Sequence, residues 1–93
     1  MFNRILNRMK ENIRKREYLM TIHAEEEMNN DDLTVYDVES GILSGEIMAR
    51  QKDKITDEWK YRIRGAAIDG GELETITKIS PTGKLVIITV YSL

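Results

Sequence analysis

Two runs of β-branched and apolar residues, Leu73–Ile79 and Leu85–Tyr91, are separated only by Ser80-Pro81-Thr82-Gly83-Lys84. Proline presets the first bend and glycine accepts the left-handed conformation at the end of a tight loop, so these two runs must form an antiparallel hairpin. Pairing Ser80 with Lys84 sets Thr75 opposite Thr89 and Leu73 opposite Tyr91. Upstream, a strand over about Glu58–Ile68 meets the same hairpin through Asp69-Gly70-Gly71, and a three-residue loop there pairs Tyr61 with Ile79 and Ile63 with Thr77. A fourth strand, about Glu46–Gln51, joins through Lys52-Asp53-Lys54. Strict alternation then predicts one face carrying Tyr61, Ile63, Ile79, Leu85, Ile87, Thr89 and Tyr91. The opposite face carries Lys60, Arg62, Arg64 and Lys78 beside Ile76, Val86, Ile88 and Val90, so both faces are expected to be partly covered.

The first half of the chain is helical in pattern. Phe2, Ile5, Leu6, Met9 and Ile13 recur at helical spacing, which predicts an amphipathic helix to about Glu17. Tyr18–Ile22 reads as a short strand. His23–Met28 reads as a short helix with Glu25, Glu26 and Glu27 in its first turn, where the helix dipole favours acidic groups. Thr34 followed by Asp37 is a capping-box variant for a third helix, with Val35, Val38, Ile42 and Leu43 on its apolar side and Gly45 just beyond. The expectation is one α+β domain over residues 1–93: a basic N-terminal helix (1–17) and a core (18–93), with a four- to five-stranded antiparallel sheet and about three helices.

Composition narrows the chemistry. A chain of 93 residues buries roughly 65% of its unfolded surface, enough for one core. It has no cysteine and one histidine, which excludes a disulfide framework, a thiolate zinc site and a cysteine nucleophile; no metal or other cofactor is expected. Leu85–Tyr91 is the longest apolar run, far short of the ~20 residues that span a bilayer. With no secretory-signal pattern at the N-terminus, the expectation is a cytoplasmic protein without a membrane partner. The net charge of -2 conceals an asymmetry: residues 1–17 hold six basic and two acidic side chains, net +4, while the rest holds eight basic and fourteen acidic, net -6.

Three features could carry chemistry. Lys60, Arg62 and Arg64 alternate along one strand and project the same way at about 7 Å intervals, a spacing suited to successive phosphates. The rival reading is that Glu46, Glu74 or the helix carboxylates neutralise this ladder. His23 stands where a strand enters a helix, and its ring could act as a base or as a hydrogen-bond donor; a capping or packing histidine is the rival. Thr89 and Tyr91 share a face and both present hydroxyls. A phenol can serve as a general acid, although such residues are also ordinary strand formers.

The order Thr21-Ile22-His23-Ala24, Glu26, Met28, Leu33-Thr34, Val38, Gly45-Glu46-Ile47, Tyr61 and Ile88-Thr89-Val90-Tyr91 resembles a widespread bacterial family of small domains of unknown function. That family follows the pattern H-A-x-E-R-M, R-G-I-S, G-E-I and T-x-Y. The resemblance covers about Tyr18–Tyr91 and leaves the first 17 residues outside. It implies a fold akin to the RelE/ParE and BrnT toxin superfamily, whose RNase toxins pair with an antitoxin. It therefore implies the toxin of a toxin–antitoxin pair, a metal-independent RNase, with a cognate antitoxin as partner, RNA or the ribosome as target and no DNA binding of its own. The alternative is an inactive protein-binding module of the same fold. In the RNase reading His23 is the base, Arg62 the phosphate-binding cation and Tyr91 the acid, with Lys60, Arg64 and Thr89 binding substrate. Two departures reverse local charge: Glu27 replaces the family's arginine, and Asp31-Asp32 replaces its R-G pair. The register above also turns Arg62 and Arg64 away from Thr89 and Tyr91, so one site needs a bulged strand.

Overall fold

In the computed structural model, which describes all 93 residues, the chain runs α1 (Asn3–Arg14), β1 (Tyr18–Met20), α2 (Ile22–Asn30), α3 (Val35–Leu43), β2 (Glu46–Lys52), β3 (Trp59–Ala66), β4 (Glu72–Ile79) and β5 (Leu85–Ser92). The five strands lie in the order β1-β5-β4-β3-β2. The β2 to β5 pairs are antiparallel, whereas β1 joins β5 in parallel, Tyr18 beside Leu85 and Met20 beside Ile87. The expected α+β class therefore holds, with a mixed, mostly antiparallel sheet in place of an all-antiparallel one. No helix is long and apolar enough to cross a membrane.

Local chemistry sets the helix ends. Glu17 N–H reaches the Asn12 carbonyl at 2.8 Å while Arg16 takes a left-handed φ of 57°, so α1 stops before the expected boundary. Thr21 accepts the Ala24 N–H at 3.1 Å, which starts α2 at Ile22 and leaves Glu25 as the only acidic residue in the first turn. The Thr34–Asp37 capping box forms in both directions.

Both hairpins were expected, but neither register holds throughout. In β3–β4, Gly70 is the left-handed residue (φ 91°), so the three-residue loop is Ile68-Asp69-Gly70, closed by Ala67 N–H to Gly71 O at 2.7 Å. Tyr61 accordingly faces Thr77, and Ile63 faces Thr75. The loop moves by one residue, and parity keeps each side chain on its expected face. In β4–β5 the turn is as expected, with Gly83 at φ 88° and Ser80 N–H bonded to Lys84 O at 2.8 Å. Further along, the register slips: Thr77 pairs with Ile87, but Ile76 pairs with Thr89. Ile88 is the extra residue of a β-bulge, and every β5 side chain beyond it changes face. Val90, expected beside the arginines, is instead fully buried in the core.

One core results. Leu6, Met9 and Ile13 of α1, Ala24 of α2, and Val38 and Ile42 of α3 bury against Tyr61, Ile63, Leu85, Ile87 and Val90. The apolar stripe of α1 thus folds back onto the sheet, where Asn12 Nδ2 also donates to the Glu17 and Gly83 carbonyls at 3.0 and 2.9 Å. Backbone lies on backbone where α3 crosses β3: a Cβ on Gly65 would come within 1.8 Å of the Gly41 carbonyl oxygen. Ser40 and Ser44 fasten the same crossing by bonding the Ala66 carbonyl and N–H at 2.8 and 3.0 Å. Since all three helices feed this one cluster, the opposite sheet face carries no helix.

Candidate functional site on the open sheet face

Cross-strand rows organise the open face. Ala49, Arg62, Ile76 and Thr89 form one row across β2 to β5, and Arg64, Glu74 and Tyr91 form the next. The bulge at Ile88 is what brings Thr89 and Tyr91 to the arginine side, which removes the conflict between register and site in the sequence reading.

Glu74 is the hub. Although it lies on the open face, it is only 2% exposed because Tyr91, Arg64 and Arg62 close over it. Arg64 Nε donates to Glu74 Oε2 at 2.8 Å, and Nη2 lies 2.8 Å from the same oxygen, so one carboxylate oxygen takes the whole guanidinium edge. The Tyr91 hydroxyl donates to Oε1, and Arg62 Nη1 stands 3.8 Å from the same atom. Burial alone would raise the Glu74 carboxyl, but hydrogen bonds from Tyr91 and Arg64 and the charges of both arginines outweigh it and hold it below its ordinary value. The Tyr91 phenol moves up, first through its bond to Glu74 and then through burial, with Arg62 pulling the other way. At neutral pH the cluster therefore holds an ionised carboxylate and a protonated phenol.

The remaining cations differ in availability. Lys60 Nζ is 2.8 Å from Asp53 Oδ2, and Lys78 Nζ is 3.0 Å from Glu58 Oε1. Arg62 makes no close ion pair: Nη1 stands 3.8 Å from Glu74, the guanidinium also bears on the Tyr91 hydroxyl, and the side chain is 42% exposed, so its donors are the least committed of these cations. Glu74 thus neutralises part of the ladder, as the rival reading had it, with Asp53 and Glu58 serving where Glu46 had been the alternative. Beside Arg62 lies a groove of about 410 Å3 lined by Ala49, Arg50, Gln51, Lys60, Arg62 and Ile76.

His23 stands apart from this cluster. It is the second residue of α2, with Nε2 at 3.1 Å from Glu27 Oε1. The same carboxylate oxygen accepts the Val90 N–H at 3.3 Å, and Asp31 Oδ2 accepts the Ser92 N–H at 2.8 Å. Because β1 covers β5 only from Leu85 to Ile87, the rest of that edge would leave backbone donors unpaired, and α2 supplies carboxylates to them. Glu27 and Asp31, two of the positions that depart from the family pattern, are therefore the acceptors that fasten α2 to β5. His23 joins Tyr91 only indirectly, through Glu27 and the backbone of the preceding residue.

The sequence reading named Arg62, Arg64, Thr89 and Tyr91 but gave Glu74 only a neutralising part and did not single out Gln51 or Ala49. Parity was the usable signal, since Glu74 lies on the arginine face in any register that keeps the hairpin parity. A second cluster was missed: the Tyr18 hydroxyl donates to Glu39 Oε2, with Arg16 Nη1 3.5 Å from that oxygen. Burial and the Glu39 bond push the Tyr18 phenol up to about 12.

No curated protein and no solved structure matches this chain. A family model described as a domain of unknown function, DUF4258, matches residues 20–92. The match runs from Met20, the last residue of β1, through β5 and takes in Glu74, Arg62 and Tyr91, but excludes α1. With most of its length inside that match, the chain belongs to the DUF4258 family.

Proposed function

We propose that the open sheet face binds the phosphates of RNA and that the protein is a metal-independent endoribonuclease, the toxin of a toxin–antitoxin pair related to RelE/ParE and BrnT toxins. The observation that carries this reading is the bulge at Ile88, which sets Arg62, Thr89 and Tyr91 on one uncovered face. Cleavage of RNA without a metal needs a base for the ribose 2′-hydroxyl, a cation for the non-bridging oxygens and an acid for the departing 5′-oxygen. Arg62 has donors to spare for a phosphate. Tyr91, held protonated by Glu74, is the acid, and Thr89 lies in the Arg62 row, where a ribose would pass. Arg64 keeps Glu74 ionised and in place. His23, with a side chain 67% exposed at the adjoining β5 edge, acts as base toward a strand that crosses that edge.

A second reading has its own support. Lys60, Arg64 and Lys78 are each paired with a carboxylate, and the whole chain carries a net charge of -2. Such a face suits a protein partner better than a polyanion. Here the domain is an inactive binding module.

Induced expression of wild type, His23→Ala, Arg62→Ala and Tyr91→Phe in bacteria, with growth and RNA ends followed in the same cultures, separates the two. Growth arrest with new RNA ends in wild type alone supports the ribonuclease. Equal growth and intact RNA in all four strains, with soluble protein, supports the binding module.

A further inference from the structure

The groove beside Arg62 has a composition that phosphate binding does not use. Its floor is small and apolar where Ala49 and Ile76 flank Arg62 in one cross-strand row. Its rim is the Gln51 side chain, in register with Lys60. Gln51 is exposed, and its amide makes no hydrogen bond within the protein. The β2 register shifts between Ile47 and Ala49, and Ala49 presents only a methyl group beside Arg62, so the groove lies open over β2 and β3. An amide that can both donate and accept, above an apolar floor and beside the part-exposed Arg62 guanidinium, matches a flat heterocycle bearing polar edges and attached to a phosphate.

We infer that this groove is a nucleobase pocket, in which Gln51 reads the edge of the base whose phosphate sits on Arg62, with the Ala49 methyl group beneath its ring and Ile76 on the far side of Arg62. This rests on the RNA reading of the open face and adds a determinant of sequence preference to it. Charge selects the occupant. Arg62 on the wall, with no close ion pair of its own, favours a ligand carrying phosphate, and the apolar floor accepts a ring that a bare anion would leave empty.

The test uses the full chain and short 2′-O-methyl oligonucleotides, which bind without being cleaved. Oligomers of adenosine, uridine, cytidine and guanosine are compared with an abasic ribose-phosphate oligomer by fluorescence anisotropy at low salt. Wild type should prefer one base over the abasic chain by about fivefold or more, the discrimination worth one good base contact. Gln51→Ala should remove most of that preference while leaving abasic affinity unchanged. Arg62→Ala should weaken every oligomer alike, the abasic one included. If wild type binds all five equally, or if Gln51→Ala weakens all five equally or alters none of them, the base pocket is overturned while phosphate binding stands. If no oligomer binds in a salt-sensitive way, or if a polyglutamate peptide binds more tightly than all of them, both the pocket and the RNA reading fall.

Discussion

Tyr91 and Glu74 sit directly opposite each other on β5 and β4, and the phenol donates its hydrogen to a carboxylate that two arginines also hold. That pairing depends on the bulge at Ile88. Without the extra residue, Tyr91 would point toward the helices and Glu74 would lose one of its three partners. The relationship links a one-residue irregularity in a strand to the electrostatics of the whole open face.

Removing the hub should cost stability. Glu74→Ala leaves Arg64 and Arg62 facing each other with no intervening anion and leaves Tyr91 without its acceptor. Since both arginines are about 40% exposed (40% and 42%), water offsets part of the loss, and about 2 kcal/mol is expected, short of the figure for a fully buried pair. Urea unfolding at neutral pH checks this. Because Glu74 is held below its ordinary value, its contribution is fully present above the unfolded carboxyl range, near pH 4.5, and is lost as pH falls through the lower folded value. The difference between wild type and Glu74→Gln should therefore shrink as the pH falls below about 4.

Tyr18 should mark the alkaline limb. Its phenol is raised to about 12 against an ordinary 10.0, so the folded state keeps the proton that the unfolded state gives up. Stability from this group is present below pH 10.0 and declines as pH rises toward about 12. Phenolate absorbance should show a tyrosine that titrates late in the native protein. Tyr91 is raised as well, so Tyr18→Phe should remove one late-titrating phenol and Tyr18→Phe/Tyr91→Phe both; an unchanged late absorbance in Tyr18→Phe would assign the step elsewhere.

The α3–β3 crossing should tolerate no side chain. Gly65→Ala sets a methyl group 1.8 Å from the Gly41 carbonyl oxygen, a clash with backbone that rotamers cannot relieve. A loss of about 3 kcal/mol or more, or failure to fold, is expected. Gly71→Ala, where the nearest atom is a flexible Asp69 oxygen at 3.2 Å, is the control and should be nearly silent.

Thr75 offers an opposite test. It is fully buried in β4, and its hydroxyl has no hydrogen-bond partner. Thr75→Val retains the shape and removes an unsatisfied polar group, so the variant should be at least as stable as wild type, by up to about 1 kcal/mol. A loss of more than about 1 kcal/mol would show that the hydroxyl has a partner.

The N-terminal helix should prove integral to the fold even though the family match begins after it. Met9 is fully buried, and its sulfur lies 3.6 Å from the Thr77 hydroxyl. Met9→Ala is expected to cost about 2–4 kcal/mol, and deletion of residues 1–16 should give an aggregating or unfolded chain. A stable, monomeric truncated protein would show α1 to be an accessory.

The sequence by itself determined the order of elements, the Ser80–Lys84 turn, the parity though not the exact loop of the β3–β4 hairpin, the Thr34–Asp37 cap and the common face of Lys60, Arg62 and Arg64. These are local properties: turn chemistry, capping and alternation depend on residues a few positions apart. The face of Thr89 and Tyr91 was different in kind. From Leu85 to Tyr91 nearly every residue is apolar or β-branched, so alternation gives no preference between Ile88 and Val90 for the core. Packing decides it: Leu85 and Ile87 bury before the bulge and Val90 after it, and only an extra residue places all three on one side. The same holds for Glu27 and Asp31, whose charges read as departures until α2 lies along β5 and finds N–H groups in need of acceptors. Contacts between residues some 60 positions apart (63 for Glu27 to Val90 and 61 for Asp31 to Ser92) leave no local signature, and on this protein they alone decide which side chains share a site.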